Sequence, residues 1–207
     1  MDGLSIGMRV ERIFAPSLAP ANAWIGRIID PFGQPLDGRP LAGGTRERGF
    51  RSPPPPAASR NRLGARLNTG LAVFDTILPL VRGQRMGLFA GSGVGKSTLL
   101  SALAKGVSAD VVVIGLIGER GRELREFVEE TLGPEGMARA VVVAATSDQS
   151  PLMRRRCAWA AMTVAEHFRD QGRHVLFLAD SITRFAEAHR EIALSAGEAP
   201  SYRGFPP

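Results

Sequence analysis

From about residue 67 onward, short apolar runs alternate with segments in which apolar residues recur at helical spacing. Four runs have strand length and composition: "RMGLF" (85–89), "DVVVIGLIG" (110–118), "AVVVAATS" (140–147) and "HVLFLAD" (174–180). Between them, "STLLSALAKGV" spaces Leu99, Leu100, Leu103 and Ala104 along one helical face, and "GRELREFVEETL" is helical by the same criterion. The stretch "SPLMRRRCAWAAMTVAEHFRDQG" lines up Met153, Cys157, Ala160, Ala161, Val164 and Phe168, with Ser150 as N-cap and Pro151 in the first turn. Near-continuous apolar strands alternating with helices predict an α/β fold, a parallel sheet covered on both faces.

The first 50 residues have a different texture. "MRVERIF" and "AWIGRIIDPFGQPLDGRPL" read as short strands broken by turn signals, too few for an independent barrel. "RSPPPPAASR" follows as an extended connector of polyproline type. The expected organisation is therefore an N-terminal module over 1–50, a connector over 51–62 and the α/β domain over 63–207.

At the junction of the first strand and first helix of that domain stands "AGSGVGKST". Glycines at 91, 93 and 95 let the backbone bend so that amides converge on an anion, and the helix that follows adds its partial positive charge. This is the P-loop order, although the first position of the strict pattern holds Ala90 rather than glycine. In that reading Gly91, Ser92, Gly93, Val94 and Gly95 cradle phosphates and Lys96 reaches the β- and γ-phosphates. Ser97 ligates Mg²⁺, and Thr98 caps the helix or touches the α-phosphate. The alternative is a glycine-rich turn beside a surface lysine. A dinucleotide fingerprint fits poorly, because the glycines are spaced by two and no acid follows about 20 positions on.

Two further strand ends carry carboxylates. Asp180 closes "VLFLAD", where an acid at the tip of a buried strand is the expected second Mg²⁺ anchor; taken alone it could be a helix N-cap for "SITRFAEAHREI". Glu119, in "IGERGRE", could orient and deprotonate a water attacking a γ-phosphate, or pair with Arg120 or Arg122 at the surface. The three histidines, 167, 174 and 189, show neither metal-ligand spacing nor a nucleophile triad.

Composition narrows these readings little. The formal charge of +6 is carried almost wholly by arginines spread along the chain, which argues against a nucleic-acid surface. The run Arg154–Arg156 reads as a solvated helix face, with a subunit or partner contact as the alternative. No apolar run approaches the ~18 residues of a membrane span, the N-terminus lacks the build of a signal peptide, and the single Cys157 reads as a buried core thiol. A soluble cytosolic protein is expected.

Together "LNTGLAVFDTILPLVRGQRMGLFAGSGVGKSTLL", "IGERGREL", "ATSDQSPL", "ADSITRFAEAHREIALSAGE" and "YRGFPP" resemble, in order, the catalytic subunits of rotary ATPases, above all the ATPases of flagellar and type III protein export. The resemblance covers about residues 25–207. It implies a RecA-like P-loop core preceded by the remnant of an N-terminal β-barrel, with Mg²⁺ and ATP as cofactor and substrate. By resemblance Glu119 is the catalytic glutamate, Asp180 the Mg²⁺-associated acid, and Arg120 and Arg184 lie near the γ-phosphate or a subunit interface. Implied partners are copies of the same chain in a homohexamer, export-apparatus proteins and export substrates, without direct nucleic-acid contact. The implied location is the cytoplasm, peripheral to the inner-membrane export apparatus. His189 stands where relatives usually show Gln. The chain ends at "RGFPP", before the parts that in relatives supply a trans-acting arginine, an adenine wall and a helical domain, and so reads as truncated at both ends. A proton-translocating ATP synthase subunit and an RNA-tracking hexameric helicase are the competing readings.

Overall fold

The computed structural model describes residues 5–9, 11, 16–91 and 93–206. Most of the expected strand over 8–14, together with Ser92 and Pro207, therefore lies outside the described residues. The elements are β1 (Ser17–Leu18), β2 (Arg27–Ile29), β3 (Arg48–Gly49), α1 (Ala72–Thr76), α2 (Lys96–Gly106), β4 (Val111–Glu119), α3 (Gly121–Glu126), α4 (Gly133–Met137), β5 (Ala140–Thr146), α5 (Pro151–Asp170), β6 (Val175–Asp180) and α6 (Ile182–Ser195).

Four strands form one parallel sheet in the order β2-β5-β4-β6. Because successive side chains on a strand point to opposite faces, each apolar run feeds two cores. Val111, Val113, Ile117, Val141 and Val143 pack against Cys157, Ala160, Val164 and Phe168 of α5. Val112, Ile114, Leu116, Val142 and Ala144 pack on the other face with Leu100 and Ala104 of α2 and with Phe127 and Leu132. This is the α/β sheet covered on both faces that the pattern predicts. Its apolar strands line up their polar ends at one edge, the usual ligand side of such sheets.

Helix α5 starts as expected: the Ser150 hydroxyl accepts from the Met153 amide and Pro151 opens the first turn. Cys157 is buried, and burial pushes its thiol up to about 12, so it is inert packing. The Arg154–Arg156 run, however, is not a solvated face. Arg154 ion-pairs with Glu191 of α6 at 2.9 Å, and Arg155 meets His189 at 3.1 Å. Arg156 lies over the rings of Phe32 and Phe50, at 4.2 and 5.2 Å. The N-terminal segment folds back over α5, so these guanidiniums are engaged inside the chain.

Three other expectations change. The segment 85–89 joins no strand, and Phe89 is 98% exposed. The chain leading into it pairs instead with residues 65–67: Leu67 donates to Leu80 and Arg82 to Ala65, a short ladder outside the main sheet. A cavity of about 730 Å³ lies between this segment and β6. Second, the helix expected over 121–132 passes into a π-helical turn at Phe127–Leu132. There the Thr131 carbonyl accepts from the Ser101 hydroxyl at 2.6 Å and from the Lys105 ammonium at 2.9 Å, both on α2. Third, residues 27–29, grouped by sequence with the N-terminal module, pair in parallel with β5. Their anchor is Arg27, 9% exposed, which donates from Nε and Nη2 to the two oxygens of Asp37 and also to the carbonyls of Arg39 and Pro40.

Candidate active site

The glycine loop enters α2 through Gly93 and Gly95, at φ +77° and +92°. Both lie in the left-handed region that a side chain disfavours, and both leave the space around the backbone open. Gly95 is the N-cap of α2, and among the described residues no side chain bonds to the first-turn amides, which can face an anion. The far end of α2 is fixed by Arg139, whose guanidinium donates to the carbonyls of Ala104, Lys105 and Ala109. Gly91, Gly93, Val94, Gly95, Ser97 and Thr98 are exposed and Lys96 is half-buried.

The Lys96 ammonium is ion-paired with Asp180, which ends β6 at 5% exposure. Helix α6 begins with Ser181 as its N-cap, its hydroxyl accepting from the Arg184 amide. That leaves the Asp180 carboxylate for Lys96. Ser97, Glu119 and Asp180 line one pocket of about 200 Å³, together with Glu123. A hydroxyl and a carboxylate facing one space are oxygen donors of the kind Mg²⁺ takes, with water filling its remaining positions.

Glu119 reaches this pocket through a bulge. The register of β4 on β5 shifts between Ile117 and Glu119, and Gly118 between them has φ +73°. Such a bulge re-aims the side chain that follows it. Arg184 donates to the Gly118 carbonyl, and its Nε lies 3.4 Å from the Glu119 carboxylate. Burial pushes the Glu119 carboxyl up to about 7; a hydrogen bond with Glu123 adds to this and the charge of Arg184 opposes it. Glu123 is held below the usual carboxylate range, first by Glu119 and then by Arg120. Arg120 is ion-paired to Glu123 at 2.5 Å, with its side chain 73% exposed.

The structure thus brings Lys96, Ser97, Asp180, Glu119 and Arg184 to one edge of the sheet and leaves Arg120 at its rim. Sequence reasoning misses Glu123, Arg154 and Gly118. Glu123 lies in α3, which directly follows the strand that Glu119 ends, so nearness along the chain is its sequence signal. Arg154 is concealed by the two arginines beside it.

Fold and site together define an α/β nucleotide-binding domain of the P-loop class. The chain belongs to the ATP synthase alpha/beta family, whose nucleotide-binding domain matches residues 70–207. It is 56% identical over 189 residues to the flagellum-specific ATP synthase of Caulobacter vibrioides, covering 91% of this chain and 43% of that protein. With the type 3 secretion system ATPase of Xanthomonas euvesicatoria it shares 47% identity over 206 residues, covering 99% and 47%. A solved structure of a prototypical ATPase from the type III secretion system of pathogenic bacteria superposes with a TM-score of 0.88 at 42% identity, covering 93% of this chain and 56% of that one. The assembled ATPase EscN of enteropathogenic E. coli gives a TM-score of 0.86 at 42% identity, over 92% and 46%. The chain spans less than half the length of the two curated relatives.

Proposed function

We propose that this chain binds Mg·ATP and carries the hydrolytic centre of an ATPase that energises export of flagellar or type III secretion proteins. The observation that carries the reading is the convergence of the α2 N-terminus, Lys96, Ser97, Asp180 and Glu119 at one edge of the sheet. A triphosphate laid on the 91–95 loop meets backbone amides and the α2 N-terminus, with Thr98 in reach of the α-phosphate. Lys96 turns to the β- and γ-phosphates. Ser97 and Asp180 hold Mg²⁺, which when bound supplies positive charge against the phosphate oxygens. Glu119 accepts a proton from the attacking water, and a carboxyl tuned to about 7 is matched to that task near neutral pH. Arg184 sets the orientation of Glu119, and Arg120 reaches the γ-phosphate from the rim.

The names of the relatives support the export branch over a proton-translocating synthase or a helicase. EscN is described as assembled, and in one structure with a central stalk. We accordingly assign this chain to a homohexameric ring working beside an export apparatus at the inner membrane, with export substrates as its partners. Among the described residues no helix is long and apolar enough to cross a membrane. Titration calorimetry tests the reading: the parent chain should bind Mg·ATP saturably, and Lys96→Ala should weaken binding at least about tenfold, the equivalent of one lost charge-assisted contact. Equal affinities would refute it.

A further inference from the structure

Arg154 stands in the first turn of α5 and touches three other parts of the chain. Its Nε donates to the Gln149 carbonyl at 3.2 Å, in the turn that leaves β5, and its Nη2 donates to both oxygens of Glu191 on α6, at 2.9 and 3.1 Å. Its Cδ lies against Gly118. A Cβ placed on that glycine would fall 3.3 Å from Cδ of Arg154 and 3.2 Å from Cδ of Arg184, so the two arginines flank the bulge that aims Glu119. The turn at Gln149 is tied to the same place, because the Ser147 amide donates to the Glu119 carbonyl at 3.0 Å.

Glu191 follows Arg184 by seven residues, close to two helical turns, so both side chains stand on one face of α6. One end of that face meets the Gly118 carbonyl and Glu119 through Arg184, and the other meets Arg154 through Glu191. Among the described residues Arg154–Glu191 is the only ion pair between α5 and α6. A shift of α6 that broke it would draw Arg184 away from Gly118.

We propose that Arg154 is a positioning residue for hydrolysis: paired with Glu191, it fixes α6 so that Arg184 holds Glu119 toward the pocket. This deepens the functional reading above and rests on it. Neither Arg154 nor Glu191 lines the pocket shared by Ser97, Glu119 and Asp180, so Arg154 acts through Arg184 and not on the nucleotide. A guanidinium suits the task because its rigid fork serves a carboxylate and a carbonyl at once, which a lysine ammonium on a flexible stem does less well.

The test has two readouts. In the first, the Glu119 carboxyl is followed by NMR titration without nucleotide. Burial and then Glu123 push this carboxyl up, Arg184 opposes them and Asp180 adds to the push, so losing the Arg184 contact registers as a rise. Arg154→Met should raise it in the same direction as Arg184→Met, with Arg154→Lys between the parent and Arg154→Met. Arg154→Met/Arg184→Met should match Arg184→Met alone, because one contact is lost either way. Glu191→Gln, which leaves Arg154 in place, should also raise it and serves if Arg154→Met fails to fold. In the second, single-turnover cleavage of pre-bound Mg·ATP should fall about 10–100-fold in Arg154→Met, the scale on which a misplaced group loses rate, with Mg·ATP affinity unchanged. Variants that lower the Tm but leave the Glu119 titration and the cleavage rate at the parent's values would make Arg154 a structural contact only and overturn the proposal. A rise in Arg154→Met/Arg184→Met beyond that of Arg184→Met would overturn it too, since Arg154 would then act by another route. Failure of the parent to bind Mg·ATP would instead refute the functional reading, and the titration would still decide whether Arg154 sets Glu119.

Discussion

Arg184 holds its Nε 3.4 Å from the carboxylate of Glu119 while donating to the carbonyl of Gly118, the residue before it. The contact fixes the orientation of the glutamate and opposes the upward push that burial gives its carboxyl. Arg184→Met should therefore raise the Glu119 carboxyl above its parent value, read by NMR titration of the glutamate side-chain carbons. An unchanged or lower value would show that Arg184 does not act on Glu119.

Gly118 carries a second requirement. A Cβ placed there would lie 3.2 Å from Cδ of Arg184 and 3.3 Å from Cδ of Arg154, and the residue's φ of +73° is itself unfavourable for any side chain. Gly118→Ala should cost about 1–2 kcal/mol for the backbone conformation, with displacement of both arginines adding to it. Urea unfolding measures this, and a cost near zero would mean that the bulge relaxes freely.

The pH dependence of stability gives a signed test. Glu119 binds its proton more tightly folded than unfolded, so its contribution is fully present below its ordinary value of 4.5 and is lost as pH rises toward about 7. Glu119→Gln escapes that loss. Its stability relative to the parent should rise between pH 4.5 and 7 and level off above. A flat difference over this range would contradict the burial of the carboxyl.

At the other edge of the sheet, the Arg27–Asp37 pair has both side chains 11% exposed. Arg27→Met strands a buried carboxylate and should cost about 3–5 kcal/mol at neutral pH. Arg27→Met/Asp37→Leu should cost less than the single change. Hydrogen bonding to Arg27 drives the Asp37 carboxyl well below its ordinary 3.8, so the pair's contribution holds above that pH and fades as pH falls further. Urea titrations at pH 7 and pH 3 check both statements.

Legibility along the chain followed the physics of each segment. Strands β4, β5 and β6 are buried along the sheet and read as continuous apolar runs, so their ends, and with them Glu119 and Asp180, were placed within a residue. Helix α5 announced itself through Ser150, Pro151 and its apolar stripe. The segment 85–89 has strand composition, yet it joins no strand, and residues 80–82 just before it pair with 65–67, about 15 positions earlier in the chain. The π-turn at 127–132 likewise meets Ser101 and Lys105 of α2 through the Thr131 carbonyl, contacts that its own sequence does not announce. Charges were least legible. Whether Arg154 faces water or Glu191, and whether Lys96 meets Asp180, depends on packing between elements that no local pattern encodes.

The central claim is that Lys96 binds the triphosphate while Glu119 activates the water, and single-turnover hydrolysis of pre-bound Mg·ATP separates these roles. The account predicts that Glu119→Gln keeps the parent's affinity and slows cleavage of the bound nucleotide by about 10²–10⁴, the usual contribution of a positioned general base. Cleavage by Glu119→Gln at the parent's rate, or loss of nucleotide binding with the phosphate loop intact, would contradict it.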